Sequence, residues 1–300
     1  NKELSPTKLA WRKLLANRLS VIGLLIIALF FLIALIGPFI RPDASPKANE
    51  QHLELARKAP GFGVKMLLLP NEFSTQKQSF FQKWIFGVLP KYREISIAQY
   101  ELQTDGVLIE KYTGNNPNEG EEFFYSFKEW TKAGIAFSET KHINNKTFYL
   151  GTDRYGRDLL SRLMAGTWIS FSVGLISIFI SLLIGITLGS LAAFYKGWVD
   201  ELIMWLINVI WSIPTLLLVI AITLALGKGF WQVFVAVGLT MWVEVARVVR
   251  GQVMSIREME YVEAGRALGF RDFHIMAKHI LPNITAPVIV ISASNFAAAI

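Results

Sequence analysis

Long apolar runs without a single charged residue dominate the polarity pattern of the 300-residue chain. Four of the five runs are long enough for the roughly 20 residues that a helix needs to cross a bilayer. The pattern therefore predicts a membrane protein built from spanning helices. The runs lie between Arg18 and Arg41, Arg162 and Lys196, Glu201 and Lys228, Lys228 and Glu244, and from Ile280 to Ile300.

Five spans are visible in this pattern. The fourth run is short, so we expect its helix to continue through Ala246 and to place Glu244 near one membrane interface. The fifth run has no polar flank before Ile300, so we expect it to continue beyond this sequence and a sixth span to follow. The predicted spans are Leu19–Ile40, Ala165–Tyr195, Leu202–Leu226, Gly229–Ala246, and a last one beginning near Asn283.

A different pattern marks residues 41–149, between spans one and two. The stretch ISIAQYELQTDGVLIEKY alternates apolar and polar positions on both sides of Asp105-Gly106, which predicts a β-hairpin. Some helix is expected around Phe123–Ala133. His52 and His142 stand alone in the sequence, so both are interpreted as surface histidines rather than ligands. The insert is thus predicted to be a docking or shaping element rather than a catalytic one.

The composition narrows the class of protein. Hydrophobic residues make up 53% of the chain and charged residues only 18%, whereas helices of soluble proteins carry a polar face. The absence of cysteine excludes disulfides and thiol chemistry. The fold class is therefore predicted as an all-α polytopic membrane protein with an α+β insert.

Basic residues before the first span predict its orientation. By the positive-inside rule they favour a cytoplasmic N-terminus, which makes the insert extracytoplasmic and the segment Glu244–Pro282 cytoplasmic. Span one is longer than the apolar core of a signal peptide, and it is interpreted as an uncleaved anchor. The flank contains Lys2, Lys8, Arg12, Lys13 and Arg18 against Glu3.

The polar segment before span five contains signals for two short helices. Arg257–Leu268 is rich in helix formers, and Gly269 follows where a C-terminal cap favours glycine. Asp272 is the expected N-cap of a second helix, Phe273–Ile280, and Pro282 is expected to break it where span five begins. The prediction is helix, turn, helix, membrane.

Helical spacing divides the first of these helices into two faces. One face carries two carboxylates and an arginine, and the other is narrow, apolar and small at its centre. Docking on lipid headgroups and docking on another protein both remain open from this spacing. The first face holds Glu260, Glu263 and Arg266, and the second holds Tyr261, Ala264, Gly265 and Leu268.

This segment resembles the EAA loop of permeases in binding-protein-dependent ABC transporters. Glu263-Ala264-Gly265, three residues, Gly269, nine residues and HILP follow that loop's pattern, with Gly265 in place of its second alanine and His279 in place of its isoleucine. LGTDRYGRDLLSRLMAGTWISFSVG and ARVVRGQVMSIREMEYVEAGRALG are similar to the dipeptide, oligopeptide and nickel branch.

The resemblance implies an inner-membrane, multi-pass permease subunit that forms half of a path for peptides. It implies as partners a second homologous permease in a heterodimer, two ATP-binding subunits and an extracytoplasmic substrate-binding protein, besides the lipid bilayer. No nucleic acid, cofactor or metal is expected. The residues that it assigns to ATPase coupling, within the loop 250–282, are Glu263, Ala264, Gly265, Arg266, Gly269, Leu281 and Pro282.

The chain itself carries no phosphate-binding loop. LGKGF lacks the preceding glycine and the Ser/Thr after lysine that a P-loop requires, so the chain is not expected to be an enzyme, and a partner is expected to hydrolyse ATP. Pro214 is expected to kink span three, and Glu244 to pair with Arg247 one helical turn away. The polar residues that could line a path are Asn208, Ser212, Thr223, Thr240, Glu244 and Asn295.

Three regions follow: 1–40 with span one, the insert 41–149, and a transmembrane domain 150–300. Import of nickel or another small solute by the same architecture remains an alternative, because no motif selects the substrate. A second alternative is a membrane receptor or scaffold whose insert binds a ligand, and it predicts no ATPase partner.

Overall fold

A computed structural model of the protein describes residues 6–71, 77–114, 120–227 and 229–300. Lys2, Glu3 and Lys228, which entered the predictions above, lie outside the described residues. The chain divides into two compact units, Asn1–Ile169 and Ser170–Ile300.

The first unit holds five α-helices, two short 3-10 helices and five strands in the part of it that is described, and a sixth α-helix begins there. The helices are α1 (Pro6–Ala16), α2 (Arg18–Ile40), α3 (Phe80–Phe86), α4 (Lys128–Lys132) and α5 (Glu139–His142), followed by the start of α6 (Leu159–Tyr195). The strands are β1 (Phe62–Pro70), β2 (Tyr92–Gln103), β3 (Gly106–Lys111), β4 (Glu122–Ser126) and β5 (Ile143–Phe148).

The predicted first span is confirmed as helix α2. It begins after Asn17, whose side chain accepts hydrogen bonds from the backbone N–H groups of Leu19 and Ser20, so the first turn of this apolar helix is capped by a polar group. Pro38 lies within the last turn. The helix is exposed along most of its length, as a lipid-facing span would be.

The insert forms one antiparallel sheet in the order β4-β3-β2-β1-β5. The predicted hairpin is confirmed as β2–β3, with Gln103 paired to Gly106. Gly106 is therefore the first residue of β3 rather than a turn residue. Its lack of a side chain allows strand β4 to approach, because a Cβ there would stand 2.3 Å from the carbonyl oxygen of Tyr125.

The expected helix around Phe123–Ala133 is only partly correct. Glu122–Ser126 is strand β4, paired with β3, and the helix is the short α4 that follows it. The run Phe123-Phe124-Tyr125 explains the difference, since consecutive aromatic residues favour a strand when a partner strand is available.

Both faces of the sheet are covered by packed residues. Successive residues of a strand point to opposite sides, so strand β1 contributes to the core on each face. Leu67 and Leu69 of β1 pack with Trp130 of α4 on one face. Val64 and Met66 of the same strand pack with Leu55 on the other. The segment before the sheet, around Leu55, is thereby held against it.

The interpretation of His52 and His142 as surface histidines is wrong, since the two residues are only 6% and 2% exposed. His142 contacts the rings of Trp130 and Phe137, and its Nδ1 lies 3.0 Å from both the backbone nitrogen and the carbonyl oxygen of Ser138. A histidine isolated in sequence acquires its surroundings from distant elements, here the sheet and α4.

The loop 151–158, GTDRYGRD, forms hydrogen bonds to the backbone of the segment 52–58. Thr152 Oγ1 donates to the carbonyl oxygen of Leu55 and accepts from the N–H of Lys58. The N–H of Arg57 donates to the carbonyl oxygen of Asp153 at 3.0 Å. This turn before a helix thus serves as the attachment for the residues that precede the sheet.

The second unit is helical throughout the part that is described. Its helices are the remainder of α6, α7 (Gly197–Trp211), α8 (Thr215–Leu226), α9 (Phe230–Arg257), α10 (Glu260–Ala267), α11 (Asp272–Ile275) and α12 (Thr285–Ala299), with a π-helical turn at Met276–Ile280 and a 3-10 turn at Leu281–Ile284.

Four helical segments of the described chain are long and apolar enough to cross a membrane, or up to five if the bent pair α7 and α8 is one span. The kink expected at Pro214 is confirmed as a break, with α7 and α8 at 95° to one another. The four segments are Arg18–Ile40, Leu159–Tyr195, Trp231–Arg257 and Asp272–Ala299.

Small residues allow α6 and α9 to approach closely. A Cβ on Gly189 would stand 2.5 Å from the carbonyl oxygen of Ala246, and one on Gly185 would stand 2.6 Å from Cβ of Val245. Glycines four residues apart lie on one helix face, and membrane helices commonly pack through such pairs.

Candidate coupling loop and polar groups of the spans

The candidate coupling loop begins where α9 meets the end of α6. Arg257, the last residue of α9, donates from Nη1 to the carbonyl oxygens of Ala193 and Phe194 at 2.9 and 2.8 Å. These carbonyls belong to the last turn of α6, which carries partial negative charge. The guanidinium therefore ties the start of the loop to a long helix.

Helix α10 ends as the sequence predicts, at a glycine cap. Gly269 has φ of +78°, its N–H donates to the carbonyl oxygen of Arg266, and the N–H of Phe270 donates to that of Gly265. This pair of bonds is a Schellman motif. The predicted start at Arg257 is wrong, because α9 continues through that residue and α10 begins at Glu260.

The faces of α10 differ from the predicted ones at Gly265. Val262 and Gly265 are buried, whereas Glu263 and Ala264 are exposed. A Cβ on Gly265 would stand 3.5 Å from the Phe270 ring, so the small residue faces the loop's own interior. The outward face carries Glu263, Ala264 and Arg266.

Val262 joins α10 to the helices behind it. It is fully buried in an apolar cluster with Val249 and Val253 of α9 and Ile275 of α11. Helix α10 is thus packed onto the membrane helices as well as linked to them by the chain. This residue was not among the predicted ones, although it is the one branched aliphatic residue of the helix EYVEAGRA, which is the signal that indicates a buried position.

The second half of the loop is helical but less regular than predicted. Arg271, not Asp272, is the N-cap of α11, and no side-chain capping bond forms there. The break expected at Pro282 is also wrong, because π and 3-10 turns carry the helical path through it into α12. A proline lacks the N–H of the regular ladder, and irregular turns accommodate that loss.

The end of the loop is fastened back to α10. Asn283 Nδ2 donates to the carbonyl oxygen of His279 at 2.6 Å and to the hydroxyl of Tyr261 at 3.3 Å. Leu281 packs against the same apolar cluster as Val262, whereas Pro282 is exposed. The predicted coupling residues are therefore exposed except for two: Gly265 is buried, and Leu281 is partly buried.

The predicted ion pair between Glu244 and Arg247 is absent from the described ion pairs. Arg247 Nη2 instead donates to Asn208 Oδ1 at 2.8 Å, and its guanidinium lies 3.5 Å from the centre of the Trp211 ring. The long side chain reaches from α9 to α7, where an amide and an aromatic face are available. Asn208, expected on a path, serves as this arginine's partner.

Two predicted path residues share one cavity. Thr240 and Glu244 of α9 line a cavity of about 410 Å³, together with residues of the α7–α8 break and of the end of α12.

Thr240 Oγ1 and Ser212 Oγ each donate to a carbonyl of their own helix, at 2.8 and 2.7 Å. Asn295 is only 1% exposed, and its Nδ2 has no hydrogen-bond partner among the described residues.

A bidentate ion pair that the sequence did not indicate joins α7 to α9. Arg250 Nε and Nη2 donate to the two carboxylate oxygens of Asp200, both at 2.6 Å. The residues are 50 positions apart, so no local spacing rule could pair them. The bond holds the start of α7 against the helix that leads into the loop.

Comparison with known proteins supports the resemblance. Residues 185–300 match the family described as binding-protein-dependent transport system inner membrane component, and residues 5–60 match the N-terminal TM domain of oligopeptide transport permease C.

Curated relatives include a glutathione transport system permease protein of Pectobacterium atrosepticum, 39% identical over 47% of this chain and 47% of its own. They also include the oligopeptide permease OppC of Bacillus subtilis, 37% identical over 49% and 48%, and the dipeptide permease DppC of the same species, 39% over 47% and 44%. The chain spans about half the length of the curated relatives that it matches.

Among solved structures, the inward-facing MetNI methionine ABC transporter is similar at 20% identity and a TM-score of 0.42, over 46% of this chain and 69% of that one. That score is too low for the likeness to define the fold.

Proposed function

Because the chain belongs to the inner-membrane permeases of the peptide branch of ABC transporters by its matches over residues 5–60 and 185–300, we propose that it is the permease subunit of an ATP-driven importer of peptides. It forms half of the translocation path and couples to a separate ATPase through the loop 250–282. The relatives named for oligopeptides, dipeptides and glutathione support this substrate class.

The exposed face of α10 is the observation that supports this role most directly. Glu263, Ala264 and Arg266 present two opposite charges around a small residue, a surface that suits close polar contact with another protein. The reverse face, with Val262, is packed on α9, so a force applied to α10 reaches a membrane helix through side-chain packing and not only through the chain.

The proposed topology has a cytoplasmic N-terminus and five spans, with α7 and α8 as one broken span. Residues 41–149 form an extracytoplasmic domain, and residues 150–300 form the transmembrane domain. The partners proposed are a second, homologous permease, two ATP-binding subunits and an extracytoplasmic substrate-binding protein. Single cysteines at Asp105 and Arg271 test this topology, since the chain has none of its own. An impermeant maleimide added to spheroplasts should label Asp105→Cys only.

The coupling proposal is tested by reversing one charge. Glu263→Arg should abolish co-purification of the chain with its ATP-binding subunits and the stimulation of ATPase activity by peptide-loaded binding protein. Glu201→Arg is the matched control, because this glutamate is also exposed but lies on α7. Wild-type association and stimulation in Glu263→Arg would overturn the coupling role, and absence of any ATPase partner for the unmodified chain would overturn the importer itself.

A further inference from the structure

Three potential metal ligands meet in the insert, on the sheet face that carries Met66. Glu50, His52 and Glu94 each offer one ligand atom, and these atoms lie within 4.8 Å of one another. His52 is only 6% exposed, its Nε2 lies 3.8 Å from Glu94 Oε2, and that nitrogen has no hydrogen-bond partner in the described chain. A buried imidazole nitrogen that faces carboxylates without bonding them is an arrangement that a bound metal ion would satisfy.

The backbone fixes the position of His52 before its side chain makes any contact. The N–H of His52 donates to the carbonyl oxygen of Tyr155 at 3.2 Å, and its own carbonyl accepts from Leu55 at 2.8 Å. Glu94 is equally fixed, because it lies in β2 opposite Leu68 of β1. Glu50 lies outside the helices and strands, and its N–H donates a hydrogen bond to Asp43 Oδ2 at 3.3 Å. Two of the three ligands are therefore held by backbone structure.

Carboxylates crowd the surroundings of this cluster. Besides Glu50 and Glu94, the carboxylates of Asp43 and Glu54 act electrostatically on it, while Lys146 acts on Glu50 and His52, and the Arg41 guanidinium acts on Asp43. Asp43 is buried to 3% exposure, and Lys146 Nζ donates to Glu94 Oε2. Glu50, Glu94 and Asp43 repel one another in this partly dry site, and a divalent cation bound between the carboxylates would relieve that repulsion.

We propose that Glu50, His52 and Glu94 bind one divalent transition-metal cation, for which zinc is the best fit. One imidazole nitrogen and two carboxylate oxygens are a ligand set that zinc accepts, whereas calcium and magnesium prefer oxygen alone. Zinc ligands stand about 2.0–2.2 Å from the ion and hence about 3.3–3.5 Å from each other. The observed 3.8 Å between Nε2 and Oε2 needs only a small side-chain shift.

A fourth ligand position is open to water. Glu50 and Glu94 border a cavity of about 210 Å³ that also has Pro90 and Tyr92 in its wall, so water and the ion can enter from that side. On the other side of the imidazole, Glu54 Oε1 lies 3.9 Å from His52 Nδ1 and acts on the ring electrostatically. The bound metal would clamp residues 50–52 onto the sheet. The inference does not depend on the proposed function, since every residue involved lies in the insert.

The test measures zinc on the purified full-length chain in detergent, with the affinity tag removed. We expect one equivalent of Zn²⁺ after dialysis, and a weak visible absorption typical of a four-coordinate nitrogen and oxygen site when Co²⁺ replaces it. Glu50→Gln, Glu94→Gln and His52→Asn should each lower zinc affinity by more than the about 10–100-fold that loss of a residue supporting a ligand costs. Glu101→Gln is the matched control, because this glutamate lies in the same strand as Glu94 but is exposed.

The variant Lys146→Met tests whether the metal and the Lys146 ammonium compete for the Glu94 carboxylate. If both cations use that carboxylate, removing Lys146 should raise zinc affinity about tenfold, within the range of such neighbouring effects. Glu50→Gln keeps the proposal falsifiable should His52→Asn fail to fold, since Glu50 is only half-buried. Unchanged zinc binding in Glu50→Gln and Glu94→Gln, or no zinc on the unmodified chain, would overturn the site and leave Lys146 as its cation.

Discussion

The carbonyl oxygen of His52 occupies the place where a β-carbon on residue 156 would stand, since a Cβ built on Gly156 falls 1.7 Å from that atom. Gly156 also has φ of +71°, in the left-handed region that side chains disfavour. A glycine in the loop 151–158 thus allows the backbone of His52 to approach it and places the histidine in the insert's polar cluster.

Substitution of Gly156 by alanine should strongly destabilise the insert. The left-handed backbone alone disfavours alanine by about 1–2 kcal/mol. Gly61→Ala should show that effect by itself, because Gly61 has φ of +82° but no atom within 4 Å of its Cβ position. In Gly156→Ala the clash adds to it, for a total loss of about 3–5 kcal/mol.

Hydrogen exchange of peptides covering residues 52–58 and 143–148 in the full chain measures the difference between these variants. Equal loss of protection in Gly156→Ala and Gly61→Ala would show that the loop can move away from His52.

The sequence predicted the features of the chain that depend on local pattern. Charge-free runs located α2 and the end of α6, alternation located the hairpin β2–β3, and Gly269 located the end of α10. These signals lie within a few residues of what they determine, and so they can be identified without tertiary information.

Contacts between distant residues could not be predicted in the same way. His52 meets Glu94 only after the loop 151–158 and the sheet have formed, and Arg250 meets Asp200 only after α7 packs on α9. The candidate coupling loop shows both cases. Its cap was predicted from Gly269, whereas the burial of Gly265 depends on the position of Phe270 in three dimensions.

Because α6 and α9 pack closely, we expect one added methyl group at their contact to lower the stability of the protein. In Gly189→Ala the new Cβ would stand 2.5 Å from the carbonyl oxygen of Ala246, so the two helix backbones must separate. Overpacking of this kind costs about 1–3 kcal/mol. Gly251→Ala in α9 is the control, since no atom lies within 4 Å of its Cβ position and alanine favours a helix by about 0.8–1.0 kcal/mol.

Thermal denaturation followed by size-exclusion chromatography in detergent should show a lower midpoint for Gly189→Ala and an equal or higher one for Gly251→Ala. A midpoint unchanged by Gly189→Ala would mean that α6 and α9 are not in contact at this point.

The pair Arg250–Asp200 should contribute to the attachment of α7. Asp200→Asn removes a charge-assisted bidentate bond, and because the pair is partly exposed we expect a loss of about 1–2 kcal/mol. The adjacent Glu201→Gln should change stability by less than about 0.5 kcal/mol, since its side chain is exposed.

The exchanged pair Asp200→Arg with Arg250→Asp tests whether the bond itself is responsible for this loss. It should recover part of the stability that either single substitution loses. Additive losses in the double variant would assign the effect to each residue's separate surroundings.

The buried imidazole of His142 predicts a pH dependence of the insert's stability. Burial lowers the pKa of His142 from its ordinary 6.5, while the carbonyl oxygen of Ser138, 3.0 Å from Nδ1, opposes that shift less strongly because it accepts a hydrogen bond from the protonated ring. In the unfolded chain the histidine takes up a proton as the pH falls through 6.5, whereas in the folded insert it stays neutral to a lower pH. The contribution to stability is therefore complete well above pH 6.5 and is lost as the pH falls towards the folded value.

His142→Asn should reduce this pH dependence, because the Asn side-chain amide can still hydrogen bond to the Ser138 backbone but does not titrate. Hydrogen exchange at residues 128–142, corrected for the intrinsic effect of pH, should weaken from pH 7.5 to 5 more in the unmodified chain than in this variant. His274→Asn, at an exposed histidine of the other unit, should retain the full dependence. The same slope in His142→Asn as in the unmodified chain would assign the titration to another group.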